Sequence, residues 1–236
     1  MSYNYTTFVN YLSVTTVIPS TDTNFQTILP DCIDYSEQRV YREMNLLATV
    51  TRDSSSAVTV GTRTFNLPTS VGTFVAVNGI NIITPVSMQP DAGTRNQLAL
   101  VSRDVLDNVW PSTTGANVPN MYAMITDQQI IVGPSPDQAY TAEVIGTIRP
   151  NPLSATNTQT YLTLYLPDLF FAAAMIFMSG YMRNFGSQAD TPQMAMSWEQ
   201  QYEKLFQSAN EEEQRKRFGS GAWGNTQPAT ATLPGK

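Results

Sequence analysis

Carboxylates are the only side chains left for acid–base catalysis in this chain, because its 236 residues include no histidine. Without imidazole there is no Ser-His-Asp or Cys-His nucleophile and no histidine-bound metal. Asp31, Asp34 and Glu37 recur every third residue in a stretch of helical periodicity, which places them along one face. A general acid and base need a pocket that drives their pKa values apart. Nothing in the neighbouring sequence supplies one, so the three read as a solvated helix face. Asp104, Asp107 and Asp127 lack the alternating Asp/Asn spacing and the glycine of a calcium loop. Gly61, Gly72, Gly79, Gly115 and Gly133 form neither a GxGxxG nor a Walker pattern and read as turn residues. The single cysteine, Cys32, cannot close an internal disulfide and falls on the apolar side of a helix, so it reads as a buried free thiol. The expectation is a protein without cofactor, metal or turnover.

The totals point the same way. Charged residues make up 14% of the chain, against about 25% in soluble domains, and Thr, Ser, Asn and Gln fill the polar surface instead. Such surfaces suit subunits that pack against copies of themselves. The net charge of −6 and pI near 4.6 predict no general attraction to nucleic acid or anionic lipid. An acidic surface repels DNA, which is useful where a duplex must slide without sticking. Met1-Ser-Tyr-Asn-Tyr-Thr-Thr has neither the basic start nor the apolar core of a signal peptide. The apolar run 169–178 is shorter than the ~20 residues a membrane span needs. The reading is a soluble protein of a reducing compartment.

The elements that would position these groups change type twice along the chain. Residues 1–48 read as helical, with a short helix over Thr6–Leu12, a break at Pro19, and apolar spacing from Phe25 through Val40 to Leu47. Pro30 predicts a kink or a fresh helix start near Leu29. Residues 49–150 turn to short β-branched runs bounded by Gly, Pro or Ser. Asn78-Gly79 predicts a tight hairpin turn between strands Thr73–Val77 and Ile80–Thr84. A brief helix over Ser102–Trp110, stopped by Pro111, interrupts the strands, which resume over Met121–Thr126, Gln129–Val132 and Ala139–Ile148. Residues 151–217 return to helices. The fold class is α+β: a bundle of three or four helices, an inserted antiparallel β-domain, and an extended arm over 218–236.

The last third carries the strongest functional signal. Leu162 to Met182 is apolar on nearly every side, and a helix buried all round needs neighbours on all sides. The expectation is a helical layer completed by other chains. Pro167 and Asp168 suit a first turn, and Gly186 a C-terminal stop. The next helix, opening near Asp190, carries Met194, Ala195, Trp198, Tyr202, Leu205, Phe206 and Ala209 along one side. If it runs to Arg217 it is ~40 Å long at ~1.5 Å per residue. Glu211, Glu212 and Glu213 stand four residues before Arg215, Lys216 and Arg217, pairs worth a few tenths of a kcal/mol each. That end reads as solvated, with a partner's acidic rim as the competing reading. Trp223, in the Gly/Thr/Pro-rich tail, reads as an interface anchor. The stripe of Trp198, Tyr202 and Phe206 reads as core.

Together these segments resemble the head-to-tail adaptor (connector, tail tubular A-like) proteins of tailed bacteriophages. The likeness rests on Ile33-Asp-Tyr-Ser-Glu-Gln-Arg-Val-Tyr-Arg-Glu43, Gly133-Pro-Ser-Pro-Asp-Gln-Ala-Tyr140, Leu166-Pro-Asp-Leu-Phe-Phe-Ala-Ala-Ala-Met-Ile-Phe-Met178 and Trp198-Glu-Gln-Gln-Tyr202 with the charged run Glu212 to Arg217. It implies a homo-oligomeric ring, usually of twelve copies, docked under the portal protein at the head–tail interface of the virion after assembly in the host cytoplasm. The ring would meet a tail or nozzle protein and pass viral double-stranded DNA without sequence-specific contact or membrane involvement. By layout, Arg215, Lys216, Arg217, Phe218 and Trp223 would grip the portal. Tyr35, Tyr41, Phe170, Phe171, Phe177, Trp198, Tyr202 and Phe206 would pack the bundle or its inter-subunit faces. The competing class is a virion protein that binds or cleaves glycan through the β-domain, for which Trp110, Tyr122 and Tyr140 are the available aromatics. A secretion or pilus subunit is a third class, and it lacks the expected signal peptide.

Overall fold

The computed structural model describes residues 2–182 and 192–220. The chain forms two compact units, a helical one from Met1–Leu47 and Pro152–Lys236, and a β-unit from Ala48–Asn151.

In the helical unit, α1 (Tyr5–Thr16) starts at a capping box in which Asn4 and Thr7 satisfy each other's backbone N–H groups at 2.8 Å. It runs a turn beyond the expected Leu12 and closes on Val17, which takes the left-handed conformation at φ 57°. Asp22 caps α2 (Thr23–Glu43) by accepting from Asn24 N and Phe25 N, both at 2.9 Å. Of the kink or fresh start expected near Leu29, the fresh start does not occur, and α2 continues through Pro30. An interior proline costs about 3 kcal/mol. Here Phe25 and Leu29 before it, and Cys32, Ile33, Ser36, Glu37 and Val40 after it, all bury into one core, and that shared burial offsets the loss.

Two helices divide the apolar segment. Thr160 and Thr163 form a capping box for α4 (Tyr161–Tyr165), and α5 (Pro167–Met182) follows with Pro167 in its first turn. Leu166 between them leaves the helical region, as a residue before proline is pushed to do. The expectation that α5 needs other chains to cover it is overturned. It is the central helix of its own unit, contacting α1, α2, α4 and α6 (Pro192–Ser220). Leu169 through Met175 and Met178 are buried among Phe8, Leu12, Phe25, Cys32 and Tyr202. A helix apolar on every side is therefore explained inside one chain. Helix α6 continues three residues past the expected Arg217. Gly186 and Asp190 lie outside the described residues, as do the side chains of Met194 and Ala195.

The β-unit holds eight strands, β1 (Val50–Ala57), β2 (Thr64–Asn66), β3 (Gly72–Thr84), β4 (Thr94–Gln97), β5 (Ala99–Leu100), β6 (Met121–Met124), β7 (Gln129–Gly133) and β8 (Thr141–Pro150), and one helix, α3 (Arg103–Val109). They form two four-stranded sheets, ordered β1-β8-β3-β4 and β2-β7-β6-β5. All pairings are antiparallel except the short one between β5 and β6. Phe74, Ile80, Ile82, Ala142, Val144 and Ile148 from the first sheet share a core with Phe65, Tyr122, Ile130 and Val132 from the second. On the far side of the second sheet, Leu106 of α3 covers Ala123 and Ile131. Period-two alternation thus buries both faces of that sheet.

The hairpin expected at Asn78-Gly79 is a correction. Strand β3 runs unbroken from Gly72 to Thr84 beside β8, with register shifts between Phe74 and Ala76 and between Val77 and Gly79. Asn78 is the extra residue of a bulge, a position that an Asn-Gly pair suits as well as it suits a turn. Local chemistry marked the irregularity, and the long partner strand decided its type.

Candidate interaction sites

Three polar clusters in the helical unit bring together residues far apart in sequence. The first joins α2 to α6. Arg39 meets Glu199 with two hydrogen bonds, one of them Nη1 to Oε2 at 2.9 Å, and reaches Glu43 through Nε at 3.2 Å. Its guanidinium lies over the Tyr202 ring, 4.1 Å from the centroid. The hydrogen bond from Arg39, acting against burial, holds the Glu199 carboxyl below its ordinary range. Burial, reinforced by Glu43, pushes the Tyr202 hydroxyl up.

The second cluster is the end of α6, where the expected row of solvated pairs forms only in part. Arg215 pairs with Glu211 at 3.5 Å and Lys216 with Glu212 at 2.8 Å. Glu213 instead turns inward and is 3% exposed. It accepts from Leu47 N at 3.0 Å, from the Tyr161 hydroxyl at 3.2 Å and from Lys216 at 2.7 Å. Burial raises its pKa, but Lys216 and the Leu47 amide outweigh burial and hold the carboxyl low. Arg217 donates to the Asn45 carbonyl at 2.8 Å.

The third centres on Glu37, which corrects the reading of a solvated acidic face. Asp31 and Asp34 are exposed beside a polar groove of about 570 Å³ lined also by Tyr35, Gln38, Arg39, Arg42 and Glu43. Glu37, one turn from Asp34, is instead 3% exposed and accepts from Leu153 N at 3.1 Å. Burial pushes its carboxyl up to about 7. The Tyr41 hydroxyl, one turn on, is buried without a hydrogen-bond partner among the described residues. Of the three carboxylates, Asp31 and Asp34 are exposed and Glu37 alone is buried. Cys32 is buried beside the Ala174 carbonyl, and its thiol is pushed up to about 12 by desolvation.

Residues expected to bind partners divide accordingly. Phe170, Phe171 and Tyr202 are buried in the bundle core, whereas Tyr35, Tyr41, Phe177, Trp198 and Phe206 lie at its rim. The Tyr35 and Phe177 rings sit 5.4 Å apart. Of the portal-directed set, Lys216 and Arg217 are engaged within their own unit. Arg215 is 78% exposed at its side chain and Phe218 71% exposed, and Trp223 lies outside the described residues.

In the β-unit, Tyr122 and Tyr140 are core residues and Trp110 packs against Gly133. They offer no shared aromatic platform for a sugar ring. Sequence reasoning missed Glu143, buried on β8, which accepts from Asn81 at 2.8 Å and Arg95 at 3.1 Å and pairs with Arg52 at 3.6 Å. Burial raises its pKa, but Arg95, Asn81 and Arg52 outweigh burial and keep it low. A lone acid between Ala142 and Val144 was the available signal. The cluster ties four strands across one sheet face.

Among the described residues no group of three or more His, Cys, Asp or Glu is placed to hold a metal, and no helix is long and apolar enough to cross a membrane. The helical bundle is built from the two outer segments of the chain, carries a β-insertion and is fastened by internal ion pairs. Residues 3–226 match the family described as SU10 adaptor protein, and the chain belongs to that family of bacteriophage head-to-tail adaptors. No curated protein matches the chain.

Proposed function

We propose that this protein is a non-enzymatic adaptor that forms a ring, of twelve copies by family resemblance, beneath the portal and joins the DNA-filled head to the tail. The observation that carries the reading is the family match over residues 3–226. The α6 end adds support, since Arg215 and Phe218 of the expected portal-binding set are exposed there and the chain continues into the proposed portal-gripping arm. Net acidity, −6 over the chain, fits a channel through which DNA passes without adhering. The half-exposed rim of Tyr35, Phe177, Trp198 and Phe206 is the proposed contribution of the bundle to subunit contacts.

The test is native mass spectrometry or sedimentation of the chain mixed with the portal ring of the same phage. Full-length protein is compared with a version ending at Ser220, which keeps the whole of described α6. A stoichiometric ring complex formed by the full chain and lost by the shortened one is expected. Absence of a complex with both versions overturns the adaptor reading. Equal binding by both assigns the grip to residues other than the arm.

A further inference from the structure

The two places where the chain passes between its units are held in the same manner. On the way out, the Leu47 N–H is taken by the buried carboxylate of Glu213. On the way back, the Leu153 N–H is taken by the buried carboxylate of Glu37. The two locks differ in what carries them. Glu37 belongs to α2, deep within the helical core. Glu213 belongs to the last turns of α6, seven residues before the described end of that helix at Ser220.

The outgoing root is gripped with both polarities. Glu213 accepts from Leu47 N at 3.0 Å, and Arg217, one turn further along α6, donates to Asn45 O at 2.8 Å. Lys216 and the Tyr161 hydroxyl hold Glu213 in place. Glu213 and Arg217 therefore fasten backbone, while Lys216 pairs with both Glu212 and Glu213. Leu46 anchors its own side chain in the core, whereas Leu47 is 39% exposed, and the carboxylate of Glu213 is the acceptor that its amide has. Hydrogen bonds to charged groups are the stronger kind.

We propose that the C-terminal turn of α6 is a latch on the Asn45–Leu47 root of the β-unit. A partner that takes hold of the helix end and repositions that turn releases or resets the root. The identity of that partner as the portal rests on the adaptor reading above; the latch itself does not. The device works by population shift: an occupant of the helix end favours whichever arrangement of Glu213 and Arg217 it binds better, and the root follows.

Hydrogen exchange on the full-length chain tests it, because local opening is read amide by amide. Glu213→Ala is expected to speed exchange of the Leu47 amide and its neighbours at least ten-fold, leaving α1, α5 and β3 unchanged. Arg217→Ala, a milder change, should act on the same segment in the same direction. Glu211→Ala, which removes only an exposed pair, should do nothing there. Unchanged exchange at residues 45–50 in both latch variants overturns the proposal, as does a uniform rise over the whole helical unit in both. Adding the portal ring to wild-type protein is the second arm. A complex that changes exchange at residues 45–50 supports the latch, and a complex that leaves that segment untouched overturns its use by the portal. If no complex forms, the adaptor reading fails and the variants alone decide the latch.

Discussion

The Tyr202 hydroxyl donates to Glu43 Oε2 at 2.6 Å, joining residues 159 positions apart and fastening α6 to α2. The same ring carries the Arg39 guanidinium on its face, and Arg39 in turn binds Glu43 and Glu199. One aromatic side chain thus serves as core filler, cation platform and hydrogen-bond donor.

Tyr202→Phe keeps the ring and deletes only the donor. Loss of a hydrogen bond to a charged acceptor is worth about 1.5 kcal/mol here, the low end of its range because Glu43 is partly exposed and takes up water. Denaturant unfolding should show that loss, and Glu43→Gln added to Tyr202→Phe should lower stability by less than the two single changes summed. Fully additive effects would show that the pair does not interact.

Glu37 makes stability depend on pH. Its folded value of about 7 lies above the unfolded 4.5, so the folded state binds the proton more tightly. Its contribution is fully present below the unfolded value and is lost as pH rises through about 7. A shift of that size corresponds to about 3 kcal/mol between pH 4 and pH 8. Glu37→Gln retains an oxygen for Leu153 N and removes the titration. Melting temperatures of the variant should decline less than wild type across this window; parallel curves would show that Glu37 is not the group responsible.

Val17 closes α1 at φ 57° while 87% exposed. A β-branched residue in the left-handed region costs roughly 1–2 kcal/mol, and exposure leaves its side chain without packing to offset the strain. Val17→Gly removes the steric cost at the price of unfolded-state entropy, and Val17→Asn removes part of it without that loss. Thermal unfolding should rise for Val17→Asn by the equivalent of about 0.5–1 kcal/mol. A lower melting temperature would indicate that the valine has a packing role.

Gly146 faces the bulged stretch of β3, where an added methyl group would run into the Ala76 carbonyl and the Phe74 ring. Backbone cannot yield there without breaking the β3–β8 ladder. Gly146→Ala should destabilise by about 3 kcal/mol or more, seen as lost dispersion of β-unit amide signals. Gly115→Ala meets open space but a left-handed φ of 85°, and should cost only about 1 kcal/mol. Equal effects at the two positions would argue against the bulge packing.

Sequence periodicity was a good guide where one element sees one environment. The short helix opening at Ser102 and the buried face of α2 follow from local residue types. It failed where a partner distant in sequence set the outcome. The fresh helix start that Pro30 allowed is absent because both of its flanks bury in one core. Asn78-Gly79 becomes a bulge because β8 offers ten residues to pair with. The charged row at the end of α6 looked solvated because spacing cannot show that Asn45, Leu47 and Tyr161 wait beside it. Glu37 and Glu143 were invisible as buried acids for the same reason, since the groups that satisfy them come from other segments.

The helical unit is assembled from both ends of the chain, and this sets an order on its synthesis. A ribosome delivers all of Ala48–Asn151 before it reaches Pro167. Every strand of the β-unit is therefore available while the apolar stripe of α2, from Phe25 to Val40, still lacks the helix that covers it. Until Met182 and the turns of α6 beyond it emerge, the nascent protein has its insertion complete and its scaffold unfinished. The interval is one in which a chaperone or a neighbouring nascent chain meets bare hydrophobic surface.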